Sequence, residues 1–167
     1  FEIVNGVTVP NNSYANSELH TRFNSNLTKP ISLIVVSKIG GFFSGNRRNT
    51  DTTVRFRLGE GFTSEVISKY NDVSLPEGKF YTHLLRSRFT YAFNPQMYIQ
   101  SLLQYNNQSD QWSMNWRFIW QQSAATGLYI VYNQTQDYDG IPTDLNIRSL
   151  VFKYSYPVSY THLRAHE

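Results

Sequence analysis

A chain of 167 residues is long enough for one domain with a sizeable core, yet only 16% of its side chains are charged and another 16% are aromatic, against about 25% charged in ordinary soluble domains. Its net charge of +3 comes from scattered basic residues, which gives nucleic acid little to bind, and the absence of cysteine excludes a disulfide frame and a thiolate metal site. No run approaches the roughly 18 apolar residues of a membrane helix; this excludes a helical membrane protein but leaves a β-barrel open, because a barrel's polar lumen side chains dilute its hydropathy.

The chain begins in mid-pattern at "FEIVNGVTVP", without the features of a signal peptide, and reads as an internal fragment. Nine strand-like runs follow, near 17–26, 31–43, 51–58, 62–72, 79–93, 96–106, 110–120, 127–136 and 147–156. Gly40 and Gly41 inside the second run predict a bend or bulge. The connections sort into a short set ("NLTKP", "GEG", "NP", "SAAT") and a longer, more polar set ("SGNRRNT", "VSLPEG", "NNQSD", "DYDGIPTDLN"), alternating along the chain. Short turns at one rim and longer loops at the other are the habit of transmembrane barrels. Most runs also exceed the five or six residues usual in soluble sheets and suit a tilted membrane strand of about 9–11.

Within the runs the side chains alternate. Val54, Phe56 and Leu58 alternate with Arg55 and Arg57, and Leu150, Phe152, Tyr154 and Tyr156 with Ser149, Val151, Lys153 and Ser155. The clearest case is "QWSMNWRFIW", where Trp112, Met114, Trp116, Phe118 and Trp120 form one row and Gln111, Ser113, Asn115 and Arg117 the other. Period two over nine residues is a strand signal, since a helix would scatter these aromatics around its circumference. The pattern predicts an all-β, antiparallel up-and-down meander of about nine long strands, the aromatic row turned to lipid on a convex face and Arg117 on the concave one.

Several stretches resemble the C-terminal barrel portion of the DUF5916 proteins, a bacterial outer-membrane family that usually carries an N-terminal domain similar to carbohydrate-binding module family 9. They are "FEIVNGVTVP" with Tyr14, "GGFFSGNRR", "VSLPEGKFYTHLLRSRFTYAFNPQMYIQSLLQYNNQSDQWSMNWRF", "GLYIVYNQTQD" and "RSLVFKYSY". The resemblance covers residues 1 to about 156 and implies an outer-membrane location and a barrel, with no catalytic residues to carry over. Residues 157–167, "PVSYTHLRAHE", have no amphipathic period and resemble sequencing-adapter read-through; they are expected to be a non-native tail that adds no strand.

Candidate sites follow from register. If "GEG" turns about Glu60, Arg55 stands opposite Glu65 and Arg57 opposite Thr63; if the next loop turns about 75–76, Arg86 flanks Glu65 on its other side. An Arg55–Glu65–Arg86 ladder is therefore expected on the polar face. Arg57, Lys69, Arg88 and Arg117 share that face, which should make a lumen lean positive and favour anions.

His83 and Ser87, four residues apart, raise the possibility of a hydrolase but read as polar residues at the membrane interface. Asp137, Asp139 and Asp144 lack calcium-loop spacing, and no cofactor or metal is expected. Arg47 and Arg48, read as a loop tip, are candidate contacts for lipopolysaccharide phosphate, weighed against plain loop chemistry. The expected partners are the outer-membrane bilayer and the remaining strands of the same barrel, with no nucleic acid. The function classes in order are a non-enzymatic outer-membrane barrel segment that acts as a pore or anchor, a soluble all-β carbohydrate-binding module, and an outer-membrane hydrolase.

Overall fold

The computed structural model describes residues 2–4, 6–123, 125–137 and 146–157. A short hairpin, β1 (Glu2–Val4) and β2 (Val7–Thr8), precedes nine strands: β3 (Glu18–Asn24), β4 (Ile31–Phe42), β5 (Gly45–Leu58), β6 (Phe62–Leu75), β7 (Gly78–Asn94), β8 (Met97–Asn106), β9 (Gln111–Gln121), β10 (Gly127–Asp137) and β11 (Asn146–Ser155). The nine form one antiparallel sheet in chain order, each paired with its neighbours in sequence, with β3 and β11 as its edges. The sheet does not close on itself. The expected all-β meander is present. The tail from 158 onward lies outside the described residues.

The turns explain the regular pairing. Asn26, Asn94 and Asn106 each accept through Oδ1 a hydrogen bond from the backbone N–H two residues on, at Thr28, Gln96 and Gln108 (2.9, 2.9 and 3.0 Å). A side chain that mimics a backbone turn in this way is the reason asparagine reverses chains. Pro95 follows Asn94, where its missing N–H costs no ladder bond. Gly59 takes a φ of +59° in the β5–β6 turn, a left-handed conformation that costs glycine nothing.

Two expectations about connections fail. "SGNRRNT" and "VSLPEG" are mostly strand: β4 and β5 are joined through Phe43 and Ser44 alone, and β6 and β7 through Pro76 and Glu77 alone. Short and long connections therefore do not alternate between Asn24 and Gly127; what looked like polar loops are strand ends, hydrophilic on both faces at the start of β5 and carrying Val73 and Leu75 on one face at the end of β6. Nor do Gly40 and Gly41 form a bulge in β4, whose register with β3 and β5 is unbroken. They serve close approach instead, since a Cβ on Gly40 would lie 2.2 Å from the Ser17 carbonyl oxygen.

The sheet is a single layer with chemically distinct faces. One hydrogen-bonded row runs Leu58, Phe62, Tyr91, Ile99, Phe118, Ile130, Phe152 across seven strands. The next row on that face places Ser64 between Phe56 and Phe89, and Ser101 between Phe89 and Trp116. Over Ser101 the Phe89 and Trp116 rings meet edge to face at 5.7 Å. This closure leaves Ser101 only 2% exposed, its hydroxyl without a partner. Much of the remaining face is open, with Phe152 64% and Leu58 57% exposed.

The fully buried apolar side chains lie elsewhere, on the polar face at the end of the sheet marked by the Phe43–Ser44 and Pro76–Glu77 turns. Val7 and Val9, from the N-terminal segment, pack on Val73 and Leu75 of β6, bordered by Phe42, Phe43, Tyr14 and Phe80. Val9 is 1% exposed and Val73 0%. The pattern of alternation did not disclose this cluster, because Val73 and Leu75 were read as loop. It also holds a strained turn: Phe43 has φ of +50°, unusual for a bulky residue, and its ring packs edge to face on Tyr14 and Phe42.

Val73→Ala should weaken hairpin docking by about 2 kcal/mol, read as faster amide exchange at Val7 and Thr8 with β9 and β10 unchanged; equal protection in both proteins would mean that the hairpin is held some other way. Ser101→Ala should leave stability unchanged or raise it by up to about 1 kcal/mol, since it removes an unpaired hydroxyl. Ser101→Leu should cost about 1–3 kcal/mol by separating the two rings, visible in Trp116 fluorescence.

Candidate functional site on the polar face

Register puts Arg55 opposite Glu65 and Arg57 opposite Thr63, as the "GEG" turn predicts. Arg55 Nε donates to Glu65 Oε2 at 2.8 Å. On the other side of Glu65 the sequence expectation is corrected. The β6–β7 turn centres on Pro76 and Glu77, one residue later than assumed, so Arg88 stands opposite Glu65 and Arg86 stands opposite Ile67. A one-residue displacement of a hairpin centre moves the partner by two positions, which keeps Arg86 on the polar face but takes it out of the ladder. Arg88 makes no ion pair with Glu65 despite its position: the carboxylate is engaged by Arg55.

The aromatic row behaves as one unit. Trp112, Met114, Trp116, Phe118 and Trp120 share the face of Tyr105, Leu103, Ser101, Ile99 and Met97, their respective partners on β8. Arg117 lies on the opposite face, opposite Gln100 and Val131, and its Nε donates to Asn115 Oδ1 at 2.8 Å. Asn115 in turn donates to Asn133, and Asn133 Nδ2 to Ser149 Oγ at 3.1 Å, so polar side chains chain together from β9 to β11. Gln111 Nε2 donates to Asp137 Oδ1 at 2.8 Å nearby. Asp139 and Asp144 lie outside the described residues.

Cations dominate the middle of this face. Lys38, Arg47, Arg55, Arg57, Lys69, Arg86, Arg88 and Arg117 share it with Asp51 and Glu65, and with Glu18 and Asp137 toward the edges. A hollow of about 530 Å³ opens between five strands, lined by Lys38, Asn49, Asp51, Lys69, Asn71 and Asn106 among others. Arg47 and Arg48 are not a loop tip. Arg47 points to the polar face, donates to Glu18 and lies 4.4 Å over the Phe42 ring, while Arg48 faces the other way, opposite Asp72.

The His83–Ser87 pair is not assembled; instead His83 Nε2 lies 3.0 Å from Ser68 Oγ, a residue that sequence spacing along one strand could not reveal. Both are on the aromatic face, and the Tyr70 ring packs against the imidazole at 5.9 Å. Asn107 Oδ1 accepts from the His83 backbone N–H rather than from the ring. β6 is paired on both sides around Ser68, so its backbone donors are spent in the ladders and none is left to stabilise an oxyanion there. In this arrangement the pair is a polar contact among the aromatic side chains of that face.

Comparison with protein-family models, with curated proteins and with solved structures yields no match to this chain.

A double-mutant cycle on Arg55 and Glu65 should return a coupling of about 0.2–1 kcal/mol. The same cycle on Arg86 and Glu65 should return none; comparable couplings would contradict the register.

Proposed function

We propose that this sheet is part of the wall of a bacterial outer-membrane β-barrel, with its aromatic face against lipid and its polar face lining the lumen, and that it works without catalysis as a pore or as an anchor for an attached domain. The observation that carries the reading is the apolar row from Leu58 to Phe152, seven strands wide on a single-layer sheet, exposed at Leu58, Tyr91 and Phe152 and half-buried between them. Exposed apolar patches on soluble monomers are rarely larger than a few hundred Å². Lipid removes that penalty.

Aromatics gather at two levels of this face. Tyr91, Phe93, Trp120 and Tyr154 lie toward one end of the strands, and Tyr70, Tyr81, Tyr105 and Trp112 toward the other. Trp112 and Trp120, eight residues apart, are separated by roughly 26 Å along the strand, or about 20 Å of depth at a tilt near 40°. That is close to the apolar band of about 25 Å between aromatic girdles. Beyond Val54 the same face of β5 turns polar, with Thr52, Thr50, Arg48 and Asn46. β5, β6 and β7 would thus project past the membrane on the side of the Phe43–Ser44 turn, where Arg48 is within reach of lipopolysaccharide phosphate. The resemblance to the DUF5916 barrels agrees with this location and makes a carbohydrate-binding domain the natural cargo of an anchor.

The alternative, a soluble carbohydrate-binding sandwich, needs a second layer over the aromatic face. The N-terminal hairpin is the one element that packs on the sheet among the described residues, and it covers the opposite face. The excess of cations on the polar face supports anion preference in a conducting lumen.

In bilayers, Trp116 should be quenched most by deeply brominated lipid and Trp112 and Trp120 by shallow label; aqueous quenchers reaching all three equally would end the lipid reading. Met114→Arg should destabilise the inserted protein by about 2–4 kcal/mol and Asn115→Arg by less than about 1, as lipid-facing and lumen-facing sites do. Reversal potentials in a salt gradient should indicate anion preference, and cation preference would refute the charge assignment.

A further inference from the structure

We infer that the polar face carries a discrete oxyanion site, selective for a phosphoryl or sulfuryl group, where the β3–β4 connection meets β5, β6 and β7. The inference rests on the polar face being the wetted one, and beyond that on local geometry. The backbone N–H of Arg57 donates to the Pro30 carbonyl at 2.7 Å, which fastens the connection, with Lys29, against β5. Thr63 lies directly opposite both Arg57 and Thr90, and Arg88 is two residues from Thr90 on the same face. Lys29, Ser32, Arg57, Thr63, Arg88 and Thr90 line one hollow of about 160 Å³, whose floor and wall also include the apolar Leu27, Pro30 and Phe56.

Glu65 and Arg55 also line it, but they neutralise each other at 2.8 Å. Lys29, Arg57 and Arg88 are left without an ion pair among the described residues. All three are exposed, so water screens their mutual repulsion, and together they leave a positive field at the hollow that an anion would neutralise. Two guanidinium forks match the planar edges of a tetrahedral oxyanion, and the Thr63 and Thr90 hydroxyls can donate to its remaining oxygens. The hollow is smaller than the roughly 300–1,000 Å³ of sites for whole organic ligands. It therefore fits the charged group alone, either free phosphate or sulfate or the ester terminus of a larger solute that extends into the lumen.

The test is equilibrium binding to the whole chain in detergent micelles, by calorimetry, with inorganic phosphate, a hexose phosphate and the neutral hexose as probes. Saturable binding of both phosphates and none of the hexose is expected. Binding of the hexose phosphate alone would show that the sugar is read as well and would overturn a site for the charged group. Arg57→Gln and Arg88→Gln should each weaken phosphate binding roughly tenfold, the usual scale for one charge-assisted contact, while Lys153→Gln, on β11 far across the sheet, should leave it unchanged. Glu65→Gln should tighten it, because it removes the competing carboxylate and frees Arg55; a merely structural role for the arginines would not produce this opposite sign. Absence of saturable phosphate binding, or equal weakening by Lys153→Gln, would overturn the site. Since no bilayer or conductance is involved, a protein that binds phosphate but fails to insert would count against the membrane reading alone, and one that inserts without binding would count against the site alone.

Discussion

Every strand from Ile31 to Asp137 is hydrogen-bonded on both sides to its neighbours in the chain, and β10 continues to β11 in unbroken register. Because side chains alternate across a strand, such a ladder assigns each residue of the sheet to one of two faces at once, and a slip of one residue would exchange the faces entirely. Both the aromatic surface and the cationic surface are consequences of this single pairing scheme. It holds with one irregularity in the large sheet, between Ala92 and Asn94, at the very end of β7.

In a soluble sheet one face is paid for by a second layer that buries it. Here the aromatic face has no such layer among the described residues, and burial is concentrated under the N-terminal hairpin on the polar face. The two surfaces therefore make opposite demands on their surroundings. Side chains such as Phe152, Tyr154 and Leu150 stand more than half exposed and gain roughly 25 cal/mol per Å² when water is removed from them. The polar face satisfies part of its chemistry laterally, through Arg55 with Glu65 and through the Asn115–Asn133–Ser149 chain, and leaves Arg57 and Arg88 to water or to a solute. A medium that is apolar on one side and aqueous on the other meets both demands without further protein.

Small residues tune the aromatic surface. Ser64 and Ser101 recur between Phe56, Phe89 and Trp116, so that large rings on alternate strands lean over the gap and touch, as Phe89 and Trp116 do. Without those serines, aromatic side chains on adjacent strands spaced about 4.8 Å apart would crowd each other. The cost is one hydroxyl shut away from partners.

Periodicity was enough to find the nine long strands and the face of each residue within the runs it marked, because a period of two is local information and needs only a few consecutive residues; it missed the start of β5 and the end of β6. Arg55 opposite Glu65 was legible for the same reason, as "GEG" admits one turn centre. Arg88 in place of Arg86 was not. Whether a polar stretch such as "VSLPEG" is a loop or a strand end with a two-residue reversal depends on what lies across from it, and Val73 and Leu75 become strand because Val7 and Val9, some 65 residues earlier in the sequence, pack on them. The Ser68–His83 contact and the gathering of Lys29, Arg57 and Arg88 around one hollow likewise join different strands or connections. Contacts between segments distant in the chain leave no period in the sequence; they exist only once the turns have set how far each strand slides past the next.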